Sequence, residues 1–201
     1  MLKVGLTGGL ACGKSFVGEA LAGYGCLLIR ADELGHEVLA PGGEAYEPVV
    51  KEFGSEIVSG DGSIDRRLLA ARVFGSPDRL ARLNALVHPF VVRREEDLIA
   101  QFARSEPDGI AVVEAAILIE TGSHKRFDRL ILVTCSEEQQ VERALRRPGA
   151  LEPDVRARLS RQMPLDDKRK FADFVIDTSG SKEETLRQTR AAYEALRRIQ
   201  S

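Results

Sequence analysis

Short runs of consecutive apolar residues at 2–7, 26–30, 110–118, 129–135 and 174–177 are the strongest pattern along the chain. Runs this short and without alternation fit strands buried on both faces, as in a parallel sheet covered by helices. Between them the spacing of apolar positions turns helical at 14–22, 137–147 and 182–199. Strands alternating with helices predict an α/β fold, a doubly wound parallel five-stranded sheet.

The spacing of the runs is uneven. Residues 31–109 separate the second from the third, far more than one crossover connection requires. That segment has helical patterns of its own, broken at Pro41-Gly42-Gly43 and at Gly60-Asp61-Gly62. Its stretch 77–102 reads as helices interrupted at His88-Pro89, because proline disfavours helix at the residue before it. A helical lobe over about 32–107, laid on one edge of the sheet, is the favoured reading; crossover helices that merely cover the sheet are the other. A second excursion, about 143–170, is dense in charge. It fits a mobile lid that brings arginines onto phosphates, or a solvated pair of surface helices. Residues 1–201 are thus expected to form a single domain carrying a lobe and a lid.

Composition removes several classes. The apolar fraction of 43% and charged fraction of 30% exclude a disordered or fibrous chain. A net charge of -2 argues against a dedicated nucleic-acid binder, whose affinity rests on neutralising phosphates. Three cysteines, Cys12, Cys26 and Cys135, lie far apart without metal-ligand spacing, and read as free thiols of a reducing compartment. The apolar opening is too short for a signal peptide, and no stretch approaches the roughly 20 apolar residues of a membrane span. The expectation is a cytoplasmic protein without a membrane partner. Nothing in the sequence sets an oligomeric state.

The chemistry begins at residues 8–15, which read Gly-Gly-Leu-Ala-Cys-Gly-Lys-Ser. This is the P-loop pattern of Gly, four residues, Gly, Lys and Ser or Thr, and it stands where the mechanism needs it, between a strand and a helix. Gly8 and Gly13 permit tight turns and close approach to oxygen atoms. The N–H groups of Gly9, Leu10, Ala11, Cys12, Gly13, Lys14 and Ser15 can then converge on phosphate at a helix N-terminus, with Phe16 next in the helix. Lys14 supplies positive charge to the β- and γ-phosphates of ATP, and the Ser15 hydroxyl is placed to ligate Mg²⁺.

Phosphoryl transfer also needs a carboxylate at the acceptor and positive charge at the transferring group. Asp32 follows the second strand, where the carboxyl ends of parallel strands open onto a ligand crevice. It fits a catalytic carboxylate or an N-cap for a helix beginning at Glu33. Arg143, Arg146 and Arg147 lie on or beside one predicted helix, and Arg143 and Arg147, four apart, would share a face. They fit a phosphoryl clamp or an exposed helix beside Glu138 and Glu142. Cys12, inside the loop, is open to activation by Lys14 and the helix N-terminus; a tolerated small side chain is the favoured reading.

Taken together, these residues resemble the dephospho-coenzyme A kinases over nearly the whole chain. The opening Gly5-Leu6-Thr7-Gly8-Gly9 leading to Gly13-Lys14-Ser15 is similar to that family's loop. Ala31-Asp32 with Gly35-His36-Glu37-Val38-Leu39 resembles its second-strand signature. Phe53-Gly54, Asp61-Gly62, Ile64-Asp65-Arg66, Leu69 and Val73-Phe74 resemble its lobe, and Leu83-Asn84 with His88-Pro89 its paired motifs. Glu114-Ala115-Ala116-Ile117-Leu118 with Glu120, then Gln140, Arg143, Arg147, Gln162, Ala172-Asp173 and Val175-Ile176-Asp177, follow in family order. No short piece after the loop is specific alone; their order and spacing are.

The resemblance implies transfer of the ATP γ-phosphate to the ribose 3′-hydroxyl of dephospho-coenzyme A. It implies Asp32 as catalytic carboxylate, Lys14 and Ser15 on phosphate and Mg²⁺, and Arg143 from the lid. Residues 177–180 would lie by the adenine and the lobe would hold the coenzyme. His88 is a structural residue or a ligand contact, with the first favoured. The chain departs from the family at Arg30, where Asp is frequent, at Phe16 for Thr, at Ala116 for Pro, and at Thr178-Ser179 for Asn.

Kinases of other small alcohols or nucleotides, of the shikimate or nucleoside monophosphate type, are the nearest rivals. A GTPase switch is disfavoured: Asp177-Thr178-Ser179-Gly180 matches Asp-x-x-Gly only at the last strand, and no Asn-Lys-x-Asp motif occurs. Retention of Lys14, Ser15 and Asp32 speaks against a regulatory binder without an acceptor.

Overall fold

The computed structural model describes residues 1–73 and 75–200. Phe74, one of the lobe residues of the resemblance, lies outside the described residues. Five strands form one parallel sheet in the order β2-β3-β1-β4-β5, with β1 Leu2–Gly8, β2 Leu27–Arg30, β3 Ile110–Glu114, β4 Arg129–Thr134 and β5 Phe174–Asp177. The doubly wound α/β expectation is met. Burial on both faces is the reason for the unbroken apolar runs: all five residues of β3 are buried, and so are Val4 and Gly5, neighbours on opposite faces of β1. A Cβ added at Gly5 would meet Leu130, Phe127 and Leu118 at 2.8–3.0 Å, so that face of β1 has no room for a side chain.

One compact unit comprises Met1–Arg30 with the described part of Gln101–Ser201. Its helices are α1 Lys14–Gly23, α6 Glu137–Leu145, α7 Glu152–Leu159, α8 Leu165–Arg169 and α9 Lys182–Gln200. In α9 the buried Thr185, Thr189, Ala192 and Leu196 recur at helical spacing, and this stripe joins Val17 and Leu21 of α1 over Leu6, Val112, Ile131 and Val133. Ser136 and Gln139 make a reciprocal capping box that starts α6.

The chain leaves β1 for β2 on one side, and after β3 crosses to β4 on the other. The crevice at the carboxyl end of β1 is therefore the topological switch point, the place where open α/β sheets bind ligands.

The second compact unit is Ala31–Ala100. It contains α2 Ala31–Val38, α3 Tyr46–Phe53, α4 Arg66–Val73 and most of α5 Pro77–Ser105. Its buried apolar residues include Leu34, Val38, Val49, Phe53, Ile57 and Leu69. The Arg94 guanidinium forks between Glu44 (2.8 and 3.2 Å) and Glu37 (2.8 Å), tying α5 to α2 and the loop after it. The predicted break at Pro41-Gly42-Gly43 is the α2–α3 turn; a Cβ on Gly43 would fall 2.5 Å from the carbonyls of Glu37 and Val38.

Four details depart from the sequence expectations. First, α5 runs unbroken through His88 and Pro89. An interior proline costs about 3 kcal/mol, but Val91, Glu95 and Ile99 form a buried stripe at four-residue spacing that holds the helix together. Burial keeps the His88 imidazole below its ordinary pKa, in accord with a structural role. Second, β3 stops at Glu114 instead of 118, because Ala116 turns its carbonyl to Thr7 Oγ1 and Lys168 Nζ. Third, α6 ends at Leu145, two residues short of Arg147, which precedes Pro148. Arg143 and Arg147 therefore share no helical face. Fourth, Asp32 is the second residue of α2 and not its N-cap. Among the described residues no helix is long and apolar enough to cross a membrane.

Candidate active site

The loop from β1 to α1 is built for close approach. A Cβ on Gly8 would collide with the Val133 carbonyl, and one on Gly9 with Gln140 Oε1 and, at 2.9 Å, with Cys12 Sγ. Ala11 (φ 54°) and Gly13 (φ 81°) take left-handed backbone, which curls the loop back toward its own centre. Gly13 caps α1 without a side-chain bond, and the first turn of α1 holds no acidic residue. The first N–H groups of α1 and the positive end of its dipole are thus left for an anion. Lys14 folds back over the loop, its Nζ donating to Gly9 O at 2.9 Å and Gly8 O at 3.4 Å.

Ser15 Oγ donates to Glu114 Oε1 at 2.8 Å. Glu114 stands at the carboxyl end of β3, directly beside β1, and its Oε2 is buried without a hydrogen bond. Arg30 Nε is 3.8 Å from that oxygen, and Arg30 Nη2 reaches Glu19 at 3.2 Å. The departure at Arg30 thus places a guanidinium between two carboxylates. Glu114 was given no role by the sequence, although a lone acid inside the apolar run 110–118 could have flagged it.

Arg143 is held at the end of β5, with Nη1 donating to Thr178 Oγ1 at 3.0 Å and Nη2 to Thr178 O at 2.7 Å. Thr178 Oγ1 in turn bonds the carbonyls of Cys12 (2.9 Å) and Thr134 (3.2 Å). One threonine, a departure from the family in the segment expected by the adenine, joins the phosphate loop, β4 and the arginine. Arg146 instead pairs with Glu142 at 2.6 Å on the surface, while Arg147 lines a cavity of about 210 Å³ together with Leu10 and Arg158. The side chain of Phe16 faces Lys182, whose Nζ lies 5.9 Å from the ring centre.

The charge-dense excursion also reaches the loop. Leu10 N donates to Gln162 Oε1 at 2.9 Å. The next residue, Met163, donates its N–H to Glu120 Oε1 at 3.1 Å. Lys168, fully buried, binds the same Glu120 oxygen at 2.8 Å and Ala116 O at 3.0 Å. No periodicity could show this, because the bonds join residues more than forty positions apart. A cavity of about 730 Å³ opens beside these groups, lined among others by Gly9, Cys135, Gln140, Gln162, Asp177 and Ser179.

Of the two readings of Cys12, the structure supports the tolerated small side chain over the activated thiol. Its thiol is buried, 3.3 Å from Cys135 Sγ, and the hydrogen bond with Cys135 and burial together push its pKa up, outweighing Lys14. The thiolate is favoured at Cys135 instead, through the same bond and the nearby Arg143 charge. Asp32 belongs to the other compact unit, exposed in the first turn of α2. The phosphate-loop residues, Arg143 and Glu114 are thereby brought together at the switch point of the sheet.

Known proteins are similar to this chain in sequence and in fold. The family model described as dephospho-CoA kinase matches residues 2–184. A dephospho-CoA kinase of Aquifex aeolicus (strain VF5) is 39% identical over 198 residues, covering 98% of this chain and 99% of its own. One of Thermobifida fusca (strain YX) is 40% identical over 198 residues, covering 98% of each. The crystal structure of TT1252 from Thermus thermophilus superposes with a TM-score of 0.82 at 34% identity, over 96% of both chains. With a match this long, and identity spread over nearly the full length of both partners, the chain belongs to the dephospho-CoA kinase family.

Proposed function

We propose that this protein transfers the γ-phosphate of ATP to the ribose 3′-hydroxyl of dephospho-coenzyme A, the last step of coenzyme A biosynthesis. The observation that carries the reading is the phosphate loop at the sheet's switch point, with Ser15 and Glu114 paired beneath it, in a chain of this family. The loop N–H groups and the start of α1 bind the phosphates, and Lys14 leaves its carbonyl partners to neutralise the β- and γ-oxygens. Asp32 orients the attacking hydroxyl and takes up its proton as the O–P bond forms. Arg143, anchored on Thr178, adds positive charge on the β5 side of the loop. Residues of the 32–107 lobe hold the coenzyme, and those of the 143–170 lid exclude water. The reading involves neither nucleic acid nor membrane, and places the reaction in the cytoplasm.

The residues present fit Mg²⁺. Ser15 Oγ and Glu114 are hard oxygen donors 2.8 Å apart, and the second carboxylate oxygen is buried without a hydrogen bond, 3.8 Å from Arg30 Nε. Among the described residues no cluster of three metal-binding side chains occurs, and Mg²⁺ on a nucleotide usually takes only one or two protein oxygens. When bound there, the ion supplies charge neutralisation at the β- and γ-phosphates. Glu114→Gln is expected to raise the Mg²⁺ concentration for half-maximal rate about 10- to 100-fold; an unchanged Mg²⁺ dependence rejects the assignment.

The test of the function is direct. Purified protein with Mg²⁺-ATP should release ADP only when dephospho-coenzyme A is present, and the product should carry one more phosphoryl group, on the ribose 3′-oxygen. ATP binding without transfer to this acceptor, but with transfer to another alcohol or nucleotide, would discard the acceptor and keep the loop chemistry.

A further inference from the structure

We propose that Cys12 of the phosphate-binding loop and Cys135 at the end of β4 form an oxidation site, where a peroxide converts the two thiols to a disulfide that disables phosphate binding. The reaction is not part of phosphoryl transfer, and rests first on sulfur geometry. The two Sγ atoms are 3.3 Å apart, although their residues are 123 positions apart in the chain. Their backbones are held in one frame. Gly8 pairs with Val133 in the sheet, just before each cysteine's segment, and Thr178 Oγ1 bonds the carbonyls of both Cys12 and Thr134. The contact is therefore built into the strand ends and is not a chance of rotamers.

The two thiols have different parts. Cys12 is wholly enclosed, whereas Cys135 retains 7% exposure and lines the large cavity, which gives a small oxidant its route. Cys135, the sulfur that lines the cavity, is the one that meets the oxidant, and the enclosed Cys12 is the resolving thiol. Cys135 attacks one peroxide oxygen as its thiolate, breaking the O–O bond; the leaving hydroxide takes up the proton that the thiol had released, and the products are a sulfenic acid and one water. The Cys12 sulfur then displaces the sulfenic oxygen, which leaves as a second water with the thiol proton, and the S–S bond forms. Two thiols are oxidised and one peroxide is reduced.

Cys26 is an internal comparison. It is equally shielded, at 7% exposure, but burial pushes its thiol up to about 12, and its sulfur is bonded to no other cysteine. It should stay reduced.

The consequence follows from distance. A disulfide needs about 2.0 Å between sulfurs, so the 3.3 Å gap must close by more than 1 Å. Cys12 sits between Ala11 and Gly13, both already in left-handed backbone, and the loop cannot shift there without moving its N–H groups. Displacements near 1 Å cost about a hundredfold in rate.

The experiment exposes the intact protein to hydrogen peroxide, then counts alkylatable thiols after denaturation and follows acceptor-dependent ADP formation. Two of the three thiols should disappear together, with a cross-linked Cys12–Cys135 peptide, as the rate falls about a hundredfold; a dithiol reductant should restore both. Cys135→Ser, or Cys135→Ala if the serine variant folds poorly, should keep its own untreated rate through the same exposure. Rate loss with all three thiols still alkylatable overturns the proposal. So does equal inactivation of the Cys135 variants, oxidation confined to Cys26, or a disulfide formed with the rate unchanged. Peptide mapping needs no kinase activity, so failure of the disulfide is separable from failure of the acceptor assignment.

Discussion

Replacing Asp32 with alanine is expected to lower turnover roughly 10²- to 10⁴-fold, the range lost with a positioned general base, while ATP affinity stays close to that of the unaltered protein. The asymmetry follows from where the residues lie. The phosphate donors are on the β1–α1 loop and the start of α1, whereas Asp32 is carried by α2, after the carboxyl end of β2. Its removal takes no donor from the nucleotide. Stability should change little as well, because an exposed carboxylate in the first turn of a helix contributes about 0.3–1 kcal/mol through the dipole. Asp32→Asn separates the two duties of the side chain. A loss as deep as that of alanine assigns proton transfer; substantial activity assigns orientation alone. Kinetics with saturating ATP, beside a direct binding measurement, decide it, and near-normal turnover of Asp32→Ala ends the catalytic reading.

Lys168→Met should cost about 3–5 kcal/mol of stability, the range for removing one partner of a buried ion pair. Lys168 is fully enclosed and makes two bonds, to Glu120 at 2.8 Å and to the Ala116 carbonyl at 3.0 Å. The second Glu120 oxygen is buried without a hydrogen bond, so the carboxylate has little to fall back on when the lysine goes. Adding Glu120→Leu should recover much of the loss, since replacing both members of such a pair is often near neutral. Recovery will be incomplete, because the Met163 N–H then loses its acceptor. The single variant should also raise the KM for ATP, through Gln162 and its bond to the Leu10 N–H. Denaturant midpoints at unchanged m-value, measured for both variants, test this. A loss under about 1 kcal/mol, the scale of an exposed pair, shows that the pair is solvated instead.

Much of the fold could be read directly because its signals are local. Four strands lie within the apolar runs, β1 overruns its run by Gly8 alone, and β5 coincides with the last of them. The P-loop could be read for the same reason: its glycines, lysine and serine are consecutive, and the strand before and helix after are set by nearby spacing. The helix ends were harder. At Pro89 a local rule against helix gave way to a buried stripe that continues into the following turns. At Arg147 a local rule was available, since proline follows, and a helix drawn past Leu145 overlooked it.

The sequence by itself determined an α/β chain with a phosphate-binding loop, and through its ordered motifs the family. Backbone propensity, side-chain period and motif spacing all act over a few residues. Only the tertiary structure decided which distant groups meet that loop. Glu114 beneath Ser15, Gln162 on Leu10, and Thr178 between Arg143 and Cys12 are contacts across 35 to 166 positions. Lys168 makes the case most clearly. In the run Leu165–Arg169 it is one charge among several and reads as solvated, yet it is the enclosed one. For the Cys12 thiol the sequence left activation by Lys14 open, and Cys135 arriving from β4 decides against it. Burial and electrostatics depend on what packs from other strands, and that information lies in the topology.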